Sequence, residues 1–257
     1  MASRTGKRTA AAKGKAAPSG RARPSLSPRL IVEACLRLLD AEGADALTFR
    51  RIGARLGADP TALYRHFRNK DDLLLAVADH LLEESIEGFE PSEDWRQTLR
   101  TLFIRNRKVY LAHPRAAVLA TVRITRRPAE MRVIEMVLAA LADAGFPPDQ
   151  AVRHYRALVD FVLGWSCMDA TYSTLDPHAR DADESAWTGA YAAVPAATHP
   201  HIAAAAPYLA SVEDDANFGF ALDLMLDAIA ARAPAPDPAG AAGADGAQAC
   251  RSRDERV

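Results

Sequence analysis

Aromatic residues are scarce, at 7% of 257 residues, and no stretch alternates Val, Ile or Thr with polar residues over a strand's length. Ala-, Leu- and Arg-rich text of this kind predicts helices and argues against sheets. Cysteine is rarer still. Cys35, Cys167 and Cys250 are odd in number and far apart, so they suggest no disulfide framework and match no metal-ligand spacing. Cys35 stands among apolar helix positions and reads as a small core residue. No apolar run reaches the roughly 18 residues of a membrane span, and the charged N-terminus has no apolar segment behind it. These gaps predict a soluble protein of the reducing cytoplasm, with no membrane partner. No nucleophile motif, Gly-rich phosphate loop or metal quartet appears. His199-Pro200-His201 lacks a third ligand and reads as a solvated turn. Asp223 and Asp227, four apart on an apolar segment, read as helix-edge charges rather than paired catalytic acids. Neither an enzyme, a metal site nor a cofactor is expected.

What is present is an uneven charge distribution. The formal net charge is −1. Residues 1–23 hold seven Lys and Arg and no acid, a local +7 that leaves the remainder at −8. Within that acidic remainder, residues 48–70 carry Arg50, Arg51, Arg55, Arg65, Arg68 and Lys70 against Asp59 alone, a local +5. A basic island in an acidic body is the footprint of a localised polyanion site. The composition of residues 1–24 and 233–257 cannot bury a core, and both read as disordered, the first as a basic arm. The domain reading is a DNA-binding unit over 25–72 and a larger helical unit over 73–232.

Local signals divide the span between the tails into helices. Ser27 or Pro28 opens the first, with Leu30, Ala34 and Leu38 on one face, and Gly43 ends it. Thr48 is a candidate N-cap for the second, with Phe49, Ile52 and Leu56 at helical spacing. Asp59 caps the third, with Pro60 at its first position. Asn69 caps the fourth, with Asp72 three residues on. Further helices are predicted over about 93–111, 115–123, 128–144, 148–173 and 213–232, with a shorter one over 199–210. Residues 175–197 have no period and read as a long loop.

The join at Gly57-Ala58-Asp59 sets two short amphipathic helices one tight turn apart, the helix-turn-helix signature. In such a unit the second helix enters the major groove of double-stranded DNA. Leu63 and Phe67, four apart, would pin the third helix on Leu38, Ile52 and Leu56. Thr61, Tyr64, Arg65 and His66 would then face DNA. Arg can fork onto guanine, while hydroxyls, His and Lys suit phosphate oxygens. The bland alternative is a solvated basic face on a helical bundle.

The stretch LTFRRIGARLGADPTALYRHFRNKDDLL, residues 47–74, resembles the DNA-binding domain of TetR-family transcriptional regulators. The shared pattern is a Thr opening the second helix, a Gly turn, and Leu-Tyr-x-His-Phe-x-x-Lys followed by Leu-Leu. The resemblance implies DNA contacts at Thr48, Tyr64, His66 and Lys70, and a base-reading role at Arg50. Thr61 and Arg65 fall at variable positions and are expected to tune the sequence read.

LAHPRAAVLAT, ADAGFPPDQAVRHYRALVDFVLGW and NFGFALDLMLDAI resemble, more loosely, the tetracycline-repressor type of C-terminal domain. That type implies a homodimer joined through its last long helices, and a small-molecule effector. Two stripes suit the dimer: Leu158, Val162, Trp165, Met168 and Tyr172, and Phe218, Leu222, Met225 and Ile229. Phe220, Leu224 and Leu226 make the last helix apolar nearly all round. Such a helix is covered on two sides, by its own subunit plus a partner or wholly within a monomer core. By rough alignment, Leu102, Asn106, Ile134, Val137, Tyr155 and Val159 sit near the effector pocket, and plain core is the alternative. Where tetracycline binders place a drug-holding His and Asn this chain has Ile86 and Leu102, and Ala120 stands near the magnesium-binding His. A different, apolar effector without metal is expected. The sequence thus predicts an all-α, ligand-responsive, dimeric repressor, against a helical carrier or enzyme and a constitutive DNA binder.

Overall fold

A computed structural model describes residues 26–121, 123–209 and 214–234. The basic arm and all but the first two residues of the tail lie outside them. The described residues form eleven α-helices and no strand. In chain order these are α1 (Pro28–Glu42), α2 (Phe49–Leu56), α3 (Pro60–Leu63), α4 (Lys70–Ile86), α5 (Trp95–Ala112), α6 (Pro114–Ala120), α7 (Pro128–Asp143), α8 (Pro148–Ser173), α9 (Pro177–Ser185), α10 (Pro200–Leu209) and α11 (Asp214–Ala230). No described helix is long and apolar enough to cross a membrane.

The predicted caps are all made. Ser27, Thr48, Asp59 and Asn69 accept from the backbone N–H groups of Leu30, Arg51, Thr61 and Asp72. Each satisfies one of the N–H groups that a helix start leaves without an intrahelical partner.

Two apolar clusters organise the molecule. In the first, Ile31, Cys35, Leu38 and Leu39 of α1 meet Ile52, Leu63, Phe67, Leu73, Val77 and the alanines of α6. Burial pushes the Cys35 thiol up to about 12, which keeps it a neutral core residue. The second joins α5, α7, α8 and α11 through Leu99, Leu102, Phe103, Leu141, Leu158, Val162, Phe218 and Leu222. Helices α4, α5 and α8 contribute buried side chains to both clusters.

Three expectations change. Residues 175–197 are no simple loop: they contain α9 and a wide π-type turn at Ala186–Ala190. Helix α9 buries no residue, so it has no apolar period to read, although Asp176 caps it before Pro177 as Asp59 caps α3. Helix α6 stops at Ala120, three residues early, and residues 123–127 lead irregularly into α7. Leu226 belongs with Phe218, Leu222 and Ile229 in the subunit core, leaving Phe220 and Leu224 as the outward pair.

Candidate nucleic-acid interface and ligand cavity

Leu63 and Phe67 are buried against Ile52, Leu38 and Leu56, as their spacing requires. Regular helix nevertheless ends at Leu63. Arg65 and His66 donate to the carbonyls three residues back, at Ala62 and Leu63, so Tyr64, Arg65 and His66 ride on a tightened turn. Close packing at the turn requires Gly53, since a Cβ there would lie 2.8 Å from the Ala58 carbonyl oxygen. Gly57 sits at φ 61° in the left-handed region, where a side chain adds strain.

The predicted readers Thr48, Arg50, Thr61, Tyr64, Arg65 and Lys70 are exposed, and His66 is half-buried. Tyr64 is steadied edge-on by Phe49, ring centroids 4.5 Å apart. The Thr48 hydroxyl accepts from Arg51 N–H and keeps its proton for an outside acceptor such as a phosphate oxygen. Thr61 is different. Its hydroxyl donates to Asp59 Oδ1 at 2.6 Å and its N–H to the same oxygen at 2.8 Å. Those bonds, the hydroxyl's first, hold the Asp59 carboxyl below its usual range. The basic island is also partly neutralised: Arg51 and Arg55 both pair with Glu42 at the end of α1. No ion pair engages Arg50 or Arg65 among the described residues. The charge offered outward is therefore smaller than the count over 48–70 implied, and is concentrated on the reading turn.

The second site is a cavity of about 80 Å³ enclosed by α4, α5, the end of α6, α7 and α8. It adjoins an open cleft of about 810 Å³ along α8, and Thr121, Arg123, Glu130, Tyr155, Val159 and Leu163 line both. Drug-sized ligands occupy about 300–1,000 Å³. The inner cavity alone holds one end of a molecule, and the cleft accommodates its body. Leu102, Asn106, Tyr155 and Val159 line the cavity as expected. Val137 does not; it is fully buried between helices, while Ile134, expected beside it, faces the cavity together with Val133.

Asn106 and Thr121 are 5% and 6% exposed, and neither Asn106 Oδ1 nor Thr121 Oγ1 has a protein partner. Buried polar atoms left alone cost about 1–3 kcal/mol each, so two on one cavity wall mark a place where a ligand or water completes the bonding. Burial pushes the neighbouring Tyr110 phenol up to about 12, opposed by a hydrogen bond from Asn106. Thr121 and Arg123 follow α6 and Glu130 sits in the first turn of α7, at helix ends where no apolar period marks a cavity residue.

The amino-terminal part, residues 31–77, matches the family described as bacterial regulatory proteins, tetR family. Residues 88–233, more than half the chain, match the tetracyclin repressor-like C-terminal domain. The chain belongs to the TetR family of transcriptional regulators. It is 34% identical over 200 residues to an HTH-type transcriptional regulator of Saccharopolyspora erythraea, covering 74% of this chain and 85% of the relative. It is 31% identical over 211 residues to the class A tetracycline repressor from transposon 1721 of Escherichia coli, covering 80% and 92%. Among solved structures, the Streptomyces coelicolor TetR-family protein ActR in complex with actinorhodin superposes with a TM-score of 0.70 at 27% identity, over 82% of this chain and 99% of ActR. Within this TetR-family chain, the reading turn lies in the part that matches the tetR-family model and most of the cavity lining in the part that matches the C-terminal domain.

Proposed function

We propose that the protein is a dimeric repressor that leaves a palindromic operator when a small, largely apolar molecule enters the α4–α8 cavity. The observation that carries this reading is the pairing, in one chain, of an exposed basic reading turn with a cavity holding two unpartnered buried polar atoms. ActR, a relative of the same fold, is known in complex with actinorhodin and with (S)-DNPA. Thr48, Tyr64, His66 and Lys70 would set register on phosphates, while Arg50, Thr61 and Arg65 read bases. Leu102, Asn106, Tyr155 and Val159 would contact the effector. Phe220 and Leu224, 63% and 53% exposed one turn apart on α11, support a second copy as partner. In a two-fold dimer the half-sites lie one helical turn apart, about 34–36 Å, or a multiple of it. Such a regulator works where the DNA is, in the cytoplasm.

Val159→Trp tests the reading. It fills the cavity and abolishes release by an inducer found in an operator-release screen, with operator affinity retained. If Val159→Trp and Asn106→Ala both respond like wild type, the effector binds elsewhere. Salt-insensitive or absent duplex binding would instead favour a carrier or enzyme.

A further inference from the structure

Arg123 belongs to two structures at once. It lines both the inner cavity and the outer cleft. It also forks onto Asp71, Nη1 to Oδ1 at 2.6 Å and Nη2 to Oδ2 at 3.0 Å. Asp71 lies in the first turn of α4, next to Lys70 of the reading unit. The neighbouring links bind the same two elements: Arg127 pairs with Asp72, and Asp79 accepts from the N–H groups of Ala129 and Glu130 at the start of α7. Arg126 takes φ 57°, unusual for a residue other than glycine, and donates its N–H to Glu130. Side-chain bonds, not backbone preference, hold this link in place.

We propose that the effector carries a carboxylate or comparable anionic group, and that this group draws Arg123 away from Asp71, so that one guanidinium carries cavity occupancy to the first turn of α4. The proposal rests on the ligand-responsive reading above. Among the described residues, two charged side chains line the inner cavity, Arg123 and Glu130. Glu130 accepts from the N–H groups of Thr125 and Arg126. Turning it toward a cationic ligand would orphan both donors. Arg123 has five N–H donors, and its fork to Asp71 uses two, so an anion meets open donors there. Asp71 is exposed, so water takes over its carboxylate when Arg123 leaves. Asn106 Oδ1 adds a requirement for a donor such as a hydroxyl on the same molecule.

The closing experiment uses the full chain, an operator fragment selected from random DNA, and aromatic hydroxy acids headed by 3-hydroxy-2-naphthoate. Each acid is paired with its methyl ester and with the corresponding primary amine. Release is followed by fluorescence anisotropy, and binding without DNA by calorimetry. The acids are expected to release the operator and the esters and amines to fail. Asp71→Asn removes the competitor for Arg123 and should bind the acid roughly two- to fivefold tighter, the factor an exposed ion pair is worth. Arg123→Gln should bind it about tenfold or more weaker, the scale of a charged hydrogen bond. A merely structural fork would weaken acid binding in both variants. Asp71→Ser repeats the measurement should Asp71→Asn not fold. Release by esters or amines as effective as by acids, or no gain in acid affinity on removing Asp71, overturns the proposal while leaving the ligand-responsive reading standing. If no compound of any charge releases the operator, that reading falls too.

Discussion

Thr61 spends its one hydroxyl donor on Asp59 Oδ1. Toward a base it has only lone pairs to offer, so it suits a donor edge such as adenine N6 or cytosine N4. Arg65, by contrast, keeps its full set of donors. Arg65→Ala should cost about 1–3 kcal/mol and relax preference at one operator position. Lys70→Ala should weaken binding to all sequences alike, because phosphate contacts carry no sequence code. Selection from random DNA with each variant checks both, and identical preferred sites for Arg65→Ala and wild type would count against the assignment. Gly53 supports these readers from below. Its missing Cβ admits the Ala58 carbonyl, a backbone atom that cannot swing aside. Gly53→Ala is therefore expected to destabilise by about 1–3 kcal/mol, the usual cost of overpacking, and to misplace the reading turn. Urea denaturation and operator titration report the two effects separately.

Arg107 does for the helices what Gly53 does for the turn. It leaves α5 with its side chain 7% exposed, reaches Asp169 of α8 at 2.8 Å and Asp215 of α11 at 2.5 Å, and stands over the Phe218 ring at 4.9 Å. Burial disfavours its charge, and the two carboxylates together more than offset that. Asp169 is the partner that matters for stability, because Asp215 is largely in water. Arg107→Leu removes this ion pair and should cost about 1.5–3 kcal/mol in a denaturation series, the scale of a hydrogen bond to a charged group. No spacing rule announces such a residue, since its partners lie 62 and 108 positions away. The elements that were legible are those with local causes. Ser27, Thr48, Asp59 and Asn69 each cap within three residues, and the α1 and α2 stripes face one core. Helix α9 was not legible from periodicity, because periodicity reports burial and α9 has none. The Asp176-Pro177 cap could have found it. Val137 was misassigned for a related reason: on helices apolar on several sides, composition does not say which side meets a cavity or a partner. Asn106 lines the cavity where its face, shared with Leu102 and Tyr110, put it.

At the scale of the molecule, α11 is buried along Phe218, Leu222, Leu226 and Ile229 and bare along Phe220 and Leu224. Covering two such side chains is worth about 1.5–3 kcal/mol each. Phe220→Asp should shift a dimer toward monomer in sedimentation velocity and reduce operator affinity while the melting curve of the reading unit holds. A variant that stays dimeric would move the partner surface elsewhere. The unpartnered atoms of Asn106 and Thr121 have a consequence of another kind. They make the empty regulator the less stable form. A ligand at a hundred times its dissociation constant adds about 2.7 kcal/mol of stability, and so lowers the unfolded fraction on which proteases act. The molecule that clears the operator would then also slow the regulator's turnover. Repressor accumulates while genes are open, and the return to silence is quicker once the inducer is gone.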